Sequence, residues 1–131
     1  MKLLINGMVR MQQINGKRVI ISGLVSSKLN LEDHLIPIRD KIINQGGLIV
    51  GELVQRRGVS RSKKPGGSKM FDLPLSSRTY ISTGKVEELK KLAKDINADI
   101  VVFINSLNNS QIQNIETLIK TKVVTLNNLD K

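Results

Sequence analysis

Arg56, Arg57, Arg61, Lys63, Lys64 and Lys69 crowd into positions 55–69, and no acid stands among them. Clustered cations of this kind attract polyanions and speed encounter with them. The same stretch holds Gly58, Pro65, Gly66 and Gly67, and Pro74 follows. That composition predicts a mobile basic loop rather than a regular element. Aromatic residues are confined to Phe71, Tyr80 and Phe103, too few and scattered for the stacking surface that single-strand binders use. Phosphate contact is the chemistry that remains, with folded RNA recognised by shape and charge. Such a loop would gain order on binding.

Thr83-Gly84-Lys85 is a second candidate anion site. At a helix start the free N–H groups and the dipole suit a phosphate, with Lys85 adding charge. On the plainer view, Gly84 allows a tight turn and Lys85 is solvated. Gly66-Gly67-Ser68-Lys69 has some letters of a nucleotide-binding phosphate loop, but not the G-x-x-x-x-G-K-[ST] order, and no strand leads into it. His34, beside Asp33 and near Glu32, lacks the several convergent ligands of a metal site and is expected on a helix surface. Glu87 and Glu88 are adjacent on a predicted helix, so they point apart and form no carboxylate pair. With no cysteine in the chain there is no thiolate chemistry and no disulfide. Neither a catalytic motif nor a cofactor site is expected here.

The elements that must position these residues follow from apolar periodicity. Residues 17–25 read as a buried strand, with Gly23 at a bend or a close backbone approach. Leu31, Leu35, Ile38 and Ile42 share one helical face, with Asn30 as cap and Glu32 and Asp33 at the positive end of the dipole. Pro37 interrupts this pattern: either the helix kinks there or its regular part begins near it. Gly46 and Gly47 end it. Residues 48–54 form a second strand. Periodicity then lapses over 55–78, the basic loop, and 79–82 after it can add short extended pairing.

Residues 84–97 are the clearest helix, with Val86, Leu89, Leu92, Ala93 and Ile96 on one face. A strand over 99–104 follows. Asn108 and Gln111 then have the form of a capping box opening another helix, and a last strand lies over 123–126. Apolar strands alternating with helices predict an α/β fold, a mainly parallel sheet of about four strands with helices on both faces and a long basic loop inserted. At 131 residues the chain suits one domain that buries roughly 65–70% of its unfolded surface. The division expected is an N-terminal extension over 1–16 and the α/β domain over 17–131.

The formal charge of +10 is uneven. Residues 1–78 hold 14 basic and 5 acidic side chains, a net of +9, and 79–131 hold 7 and 6, a net of +1. No apolar run approaches the ~20 residues that cross a bilayer, and the N-terminus lacks the form of a signal peptide. A soluble, cytoplasmic protein is expected, without a membrane partner.

Thr79-Tyr80-Ile81-Ser82-Thr83-Gly84-Lys85-Val86-Glu87-Glu88-Leu89 is similar to the TYIGxGKxEEL signature of the N-terminal domain of HflX-type ribosome-associated GTPases. Residues 98–105 resemble that family's GADLVIFD strand. Leu107, Ser110, Gln111, Asn114, Ile115 and Glu116 match its L-S-P-S-Q-x-R-N-L-E helix start. Three blocks in order and at matching spacing identify the resemblance, which extends over about 18–126. Ser82 stands where the family has its first glycine, Asn108 and Asn109 where Ser-Pro is usual, and the 55–78 loop is longer and more basic.

The resemblance implies a ribosome-binding domain, with large-subunit rRNA as the partner. It places Arg56, Arg57, Arg61, Lys63, Lys64, Lys69 and Lys85 as the residues to test for RNA contact. The family's helical hairpin and GTPase domain lie outside these 131 residues, so GTP and Mg enter only if a separate G domain exists. One alternative is a part of a split or truncated GTPase whose G domain sits on another chain. Another is a regulatory module that binds protein, with the basic loop serving solubility.

Overall fold

The computed structural model describes residues 14–26, 30–56 and 78–126. Four strands, β1 (Arg18–Val25), β2 (Leu48–Arg56), β3 (Ile100–Phe103) and β4 (Lys122–Thr125), form one parallel sheet in the order β2-β1-β3-β4. Three helices connect them: α1 (Leu31–Asn44), α2 (Thr83–Asp95) and α3 (Asn109–Ile119). The α/β class, the parallel pairing and the helices on both faces are as the alternation predicts.

Side-chain alternation sorts the core into two layers. Val19 and Ile21 of β1, with Ile100 and Val102 of β3, pack with Leu35, Ile38 and Ile42 of α1. Their neighbours Ile20, Val101 and Phe103 pack on the opposite side with Val86, Leu89 and Ala93 of α2 and Ile115 and Ile119 of α3. From β1 the chain steps outward through α1 to β2. It then returns across β1 through α2 and continues through α3 to β4. Direction along the sheet and choice of face reverse together, which keeps every crossover of one hand.

A bulge adjusts the phase of β2. Arg18 and Val19 pair with Leu48 and Ile49, but Ile20 pairs with Gly51, so Val50 has no partner on β1. Val50 and Leu53 consequently face the same helices, α2 and α3, although an odd number of residues separates them. In an unbulged strand they would point to opposite faces.

Pro37 sits inside α1, which runs unbroken from Leu31. Of the two expectations for this segment, a regular part starting near Pro37 is therefore not what forms. Asn30 caps the helix by accepting the Asp33 N–H at 3.1 Å. Pro37 and Asp33 both face solvent, where water can meet the Asp33 carbonyl that proline leaves without a donor. The helix closes with Gly46 at φ +87. The Gly46 N–H donates to the Ile43 carbonyl at 2.9 Å and the Gly47 N–H to Ile42 at 3.0 Å. This is the Schellman arrangement, in which glycine takes the left-handed position without strain.

β2 extends to Arg56, two residues into what the sequence reads as loop. Gln55 and Arg56 pair with Leu24 and Val25. Backbone pairing carries the strand past the end of its apolar run, because ladder hydrogen bonds do not depend on side-chain type.

Candidate nucleic-acid interface

In a parallel sheet of this winding, the loops that leave the carboxyl ends of the strands gather at one edge. Here that edge carries the strand ends Val25, Arg56, Phe103 and Thr125. The reversal of strand order lies between β1 and β3. It is closed by Asn105, whose Oδ1 accepts the Leu24 N–H at 2.7 Å and whose Nδ2 donates to the Leu24 carbonyl at 3.0 Å. The amide side chain thus continues the sheet by one more pair of bonds. Gly23 makes this possible: with φ +147, a Cβ there would stand 2.5 Å from Ile104 Cγ1 and 2.6 Å from Asn105 Oδ1.

A second closure ties the end of β2 to the start of α2. Gln55 Oε1 accepts the Ser82 N–H at 2.8 Å, and Gln55 Nε2 donates to Ser82 Oγ at 2.9 Å. Ser82 is also the N-cap, its hydroxyl accepting the Lys85 N–H at 3.3 Å. Its backbone is extended, φ −66 and ψ 157, so this position has no need of the glycine usual there.

The positive φ falls instead on Tyr80, at +70. The Ile81 N–H donates to the Thr79 carbonyl at 2.7 Å across it, a γ-turn of the rare positive-φ kind. Buried Thr79 and Ile81 anchor the two sides of this turn, Thr79 Oγ1 donates to the Ile81 carbonyl at 2.9 Å, and Asn114 Nδ2 reaches the Arg78 carbonyl at 3.2 Å. Surrounding contacts hold a conformation that costs a non-glycine residue about 1–2 kcal/mol.

Arg56, exposed, is the last residue of β2 and adjoins Gln55. Lys85 stands in the first turn of α2, three residues after Ser82, with Nζ 2.8 Å from Glu88 Oε2. The Gln55–Ser82 bonds therefore bring Arg56 and Lys85, 29 positions apart in the chain, to one edge. Arg57, Arg61, Lys63, Lys64 and Lys69 lie outside the described residues, as does most of the basic segment. Gly84 is helical and a Cβ there would meet nothing within 4 Å; no tight turn demands it.

Arg39 and Arg18 instead serve the fold. Arg39 of α1 donates to both carboxylate oxygens of Glu32 at 2.8 Å and also binds Glu52 of β2, with Nη2 2.8 Å from Glu52 Oε1. These bonds raise the Arg39 pKa, Glu32 contributing most, and hydrogen bonding to Arg39 lowers that of Glu32. At the opposite edge of the sheet, Arg18 donates from Nη2 to the Ile96 carbonyl at 2.8 Å and from Nε to Asn97 at 3.1 Å, capping the end of α2. His34 lies exposed on α1. Among the described residues no group of three or more His, Asp or Glu could hold a metal ion, and no helix is long and apolar enough to cross a membrane.

Sequence reasoning passed over Gln55 and Asn105. Their available signal was slight: a single amide side chain just where an apolar strand runs out. What each bonds to is 27 and 81 residues away.

Comparison with known proteins relates part of the chain to a family. A family described as GTP-binding GTPase N-terminal matches residues 71–129, which include the γ-turn, α2, β3, α3 and β4. GTPase HflX of Caldanaerobacter subterraneus subsp. tengcongensis is 30% identical over 113 residues, covering 86% of this chain and 23% of that protein. The chain thus spans less than a quarter of its relative's length. Among solved structures, unliganded arylmalonate decarboxylase gives a TM-score of 0.49 at 12% identity, over 94% of this chain and 46% of the other, a likeness too low to carry an argument. The match over 71–129 and the likeness to GTPase HflX together support an HflX N-terminal-type domain in this chain.

Proposed function

We propose that this is a non-catalytic, ribosome-associated domain that binds large-subunit rRNA through phosphate contacts at the carboxyl edge of its sheet. The Gln55–Ser82 closure carries this reading, since it holds the two points between which the chain's densest run of cations is strung. Arg56, Arg57, Arg61, Lys63, Lys64 and Lys69 are the contacts proposed, with Lys85 beside them. The Lys85–Glu88 pair does not withhold that ammonium: an exposed pair is worth about 0–1 kcal/mol, and a phosphate competes with it. The net of +9 on residues 1–78 supports the same direction.

Co-sedimentation with ribosomal subunits tests the proposal. Binding is expected to weaken steeply with salt, because each phosphate contact releases counterions. Neutralising Arg56, Arg57, Arg61, Lys63 and Lys64 together should move the protein off the ribosomal fractions. Retention of that variant at moderate salt would remove the segment's role, and partners that survive ribonuclease treatment would point to a protein-binding module instead.

A second reading rests on the 23% of the relative that this chain spans. The domain would then be one part of a GTPase system acting in ribosome splitting or rescue, with its G domain supplied separately. A G domain encoded directly downstream would support it, and no such partner on purification would count against it.

A further inference from the structure

A cleft of about 450 Å³ opens between the C-terminal ends of α2 and α3, at the edge of the sheet opposite the carboxyl ends of its strands. Ala93, Ala98 and Ile119 are among its lining residues, together with the cations Lys90, Lys94 and Lys120. No acidic residue lines it, and none of the three ammonium groups forms an ion pair among the described residues.

Lysines near a helix C-terminus ordinarily offset the partial negative charge of its last carbonyls. Here Arg18 already does so for α2, binding the Ile96 and Asn97 carbonyls from behind. The charge of Lys90 and Lys94 is therefore left over. These two are one turn apart, about 6 Å along the axis, commensurate with successive phosphates on a nucleic-acid strand. Lys120 is held across the cleft by a left-handed backbone, φ +57. Lone ammonium groups in a row suit the oxygens of a phosphodiester chain, whereas planar carboxylates favour the guanidinium fork.

We propose that this cleft is a second RNA-phosphate site, so that the domain bridges two backbone segments from opposite edges of one sheet. The inference rests on the rRNA-binding reading given above. Its ligand is a phosphodiester backbone, and its residues are Lys90, Lys94 and Lys120.

The test measures binding of the full chain to large-subunit particles and to purified rRNA as a function of salt. Lys90→Gln, Lys94→Gln and Lys120→Asn are combined, asparagine being tolerant of the left-handed position. All three residues are exposed, and an unchanged urea midpoint establishes that the fold is intact. Affinity is expected to fall about tenfold or more, and the magnitude of the log–log salt slope by about two. Lys91→Gln, an exposed lysine on α2 that does not line the cleft, should leave the slope within error of the parent. Equal slopes for the triple variant and the parent, beside a lost affinity in the 56–64 variant, would overturn the cleft and spare the first site. A parent that binds neither particles nor rRNA would overturn both. Weakened particle binding with unchanged binding to naked rRNA would assign the cleft to ribosomal protein and overturn the proposal.

Discussion

Gln55 and Ser82 form a closed pair: one amide side chain both accepts from the Ser82 backbone at 2.8 Å and donates to its hydroxyl at 2.9 Å. The hydroxyl caps α2 in turn. A single side chain therefore joins the end of an edge strand to the N-cap of a helix on the adjoining layer.

Removing that side chain should cost about 1–2 kcal/mol, the net value of its bonds plus partly buried groups left without partners. Gln55→Ala is expected to lower the urea midpoint without changing the denaturant slope. Amide hydrogen exchange at Ser82 should quicken more than exchange in β3. An unchanged Ser82 rate would contradict the closure.

Two glycines should answer oppositely to alanine. Gly23→Ala places a methyl 2.5 Å from Ile104 and 2.6 Å from Asn105, on a backbone at φ +147, and should destabilise by about 2 kcal/mol or more. Gly84→Ala meets open space on helical backbone and should stabilise by about 0.5 kcal/mol. Thermal midpoints of the two variants, moving in opposite directions, check both.

Pro37 is exposed within α1 and denies the Asp33 carbonyl its donor. Pro37→Ala should restore that bond. A net gain of about 1–2 kcal/mol is expected, the helix-interior penalty of proline being reduced by the entropy it removes from the unfolded chain. A falling midpoint in urea would mean that the proline ring supplies packing the structure does not indicate.

Arg39 should make stability depend on acidity. Glu32 titrates lower in the folded protein than its ordinary 4.5, because Arg39 hydrogen-bonds its carboxylate. A depressed folded pKa contributes stability that is full above the unfolded value and is lost as pH falls through the folded one. Urea midpoints measured between about pH 3 and 6 should fall on acidification in the parent and flatten in Arg39→Gln. Added salt should shrink the difference, since the pair is exposed. Parallel profiles would discount it.

Much of the architecture was legible because strands and helices here bury nearly uniform aliphatic faces. The periodicity of Leu31, Leu35, Ile38 and Ile42, the Asn108–Gln111 box and the compact apolar strand read over 99–104 are all local signals, and local physics writes them. The family signature could likewise be seen at Thr79 to Leu89, yet not why its letters are needed. That Tyr80 takes the left-handed turn and Ser82 the cap becomes clear only when Thr79, Ile81 and Asn114 are seen holding the segment.

The chain by itself determined its alternating elements, its aliphatic core, its lopsided charge and its kinship. Tertiary structure alone decided which distant groups meet: Gln55 with Ser82, Asn105 with Leu24, Arg18 with the end of α2, and Lys90 and Lys94 across a cleft from Lys120. The physical reason is range. Periodicity and caps act over a few residues of backbone, whereas these contacts depend on strand order, on the bulge at Val50 and on the face each helix takes, none of which has a local signature.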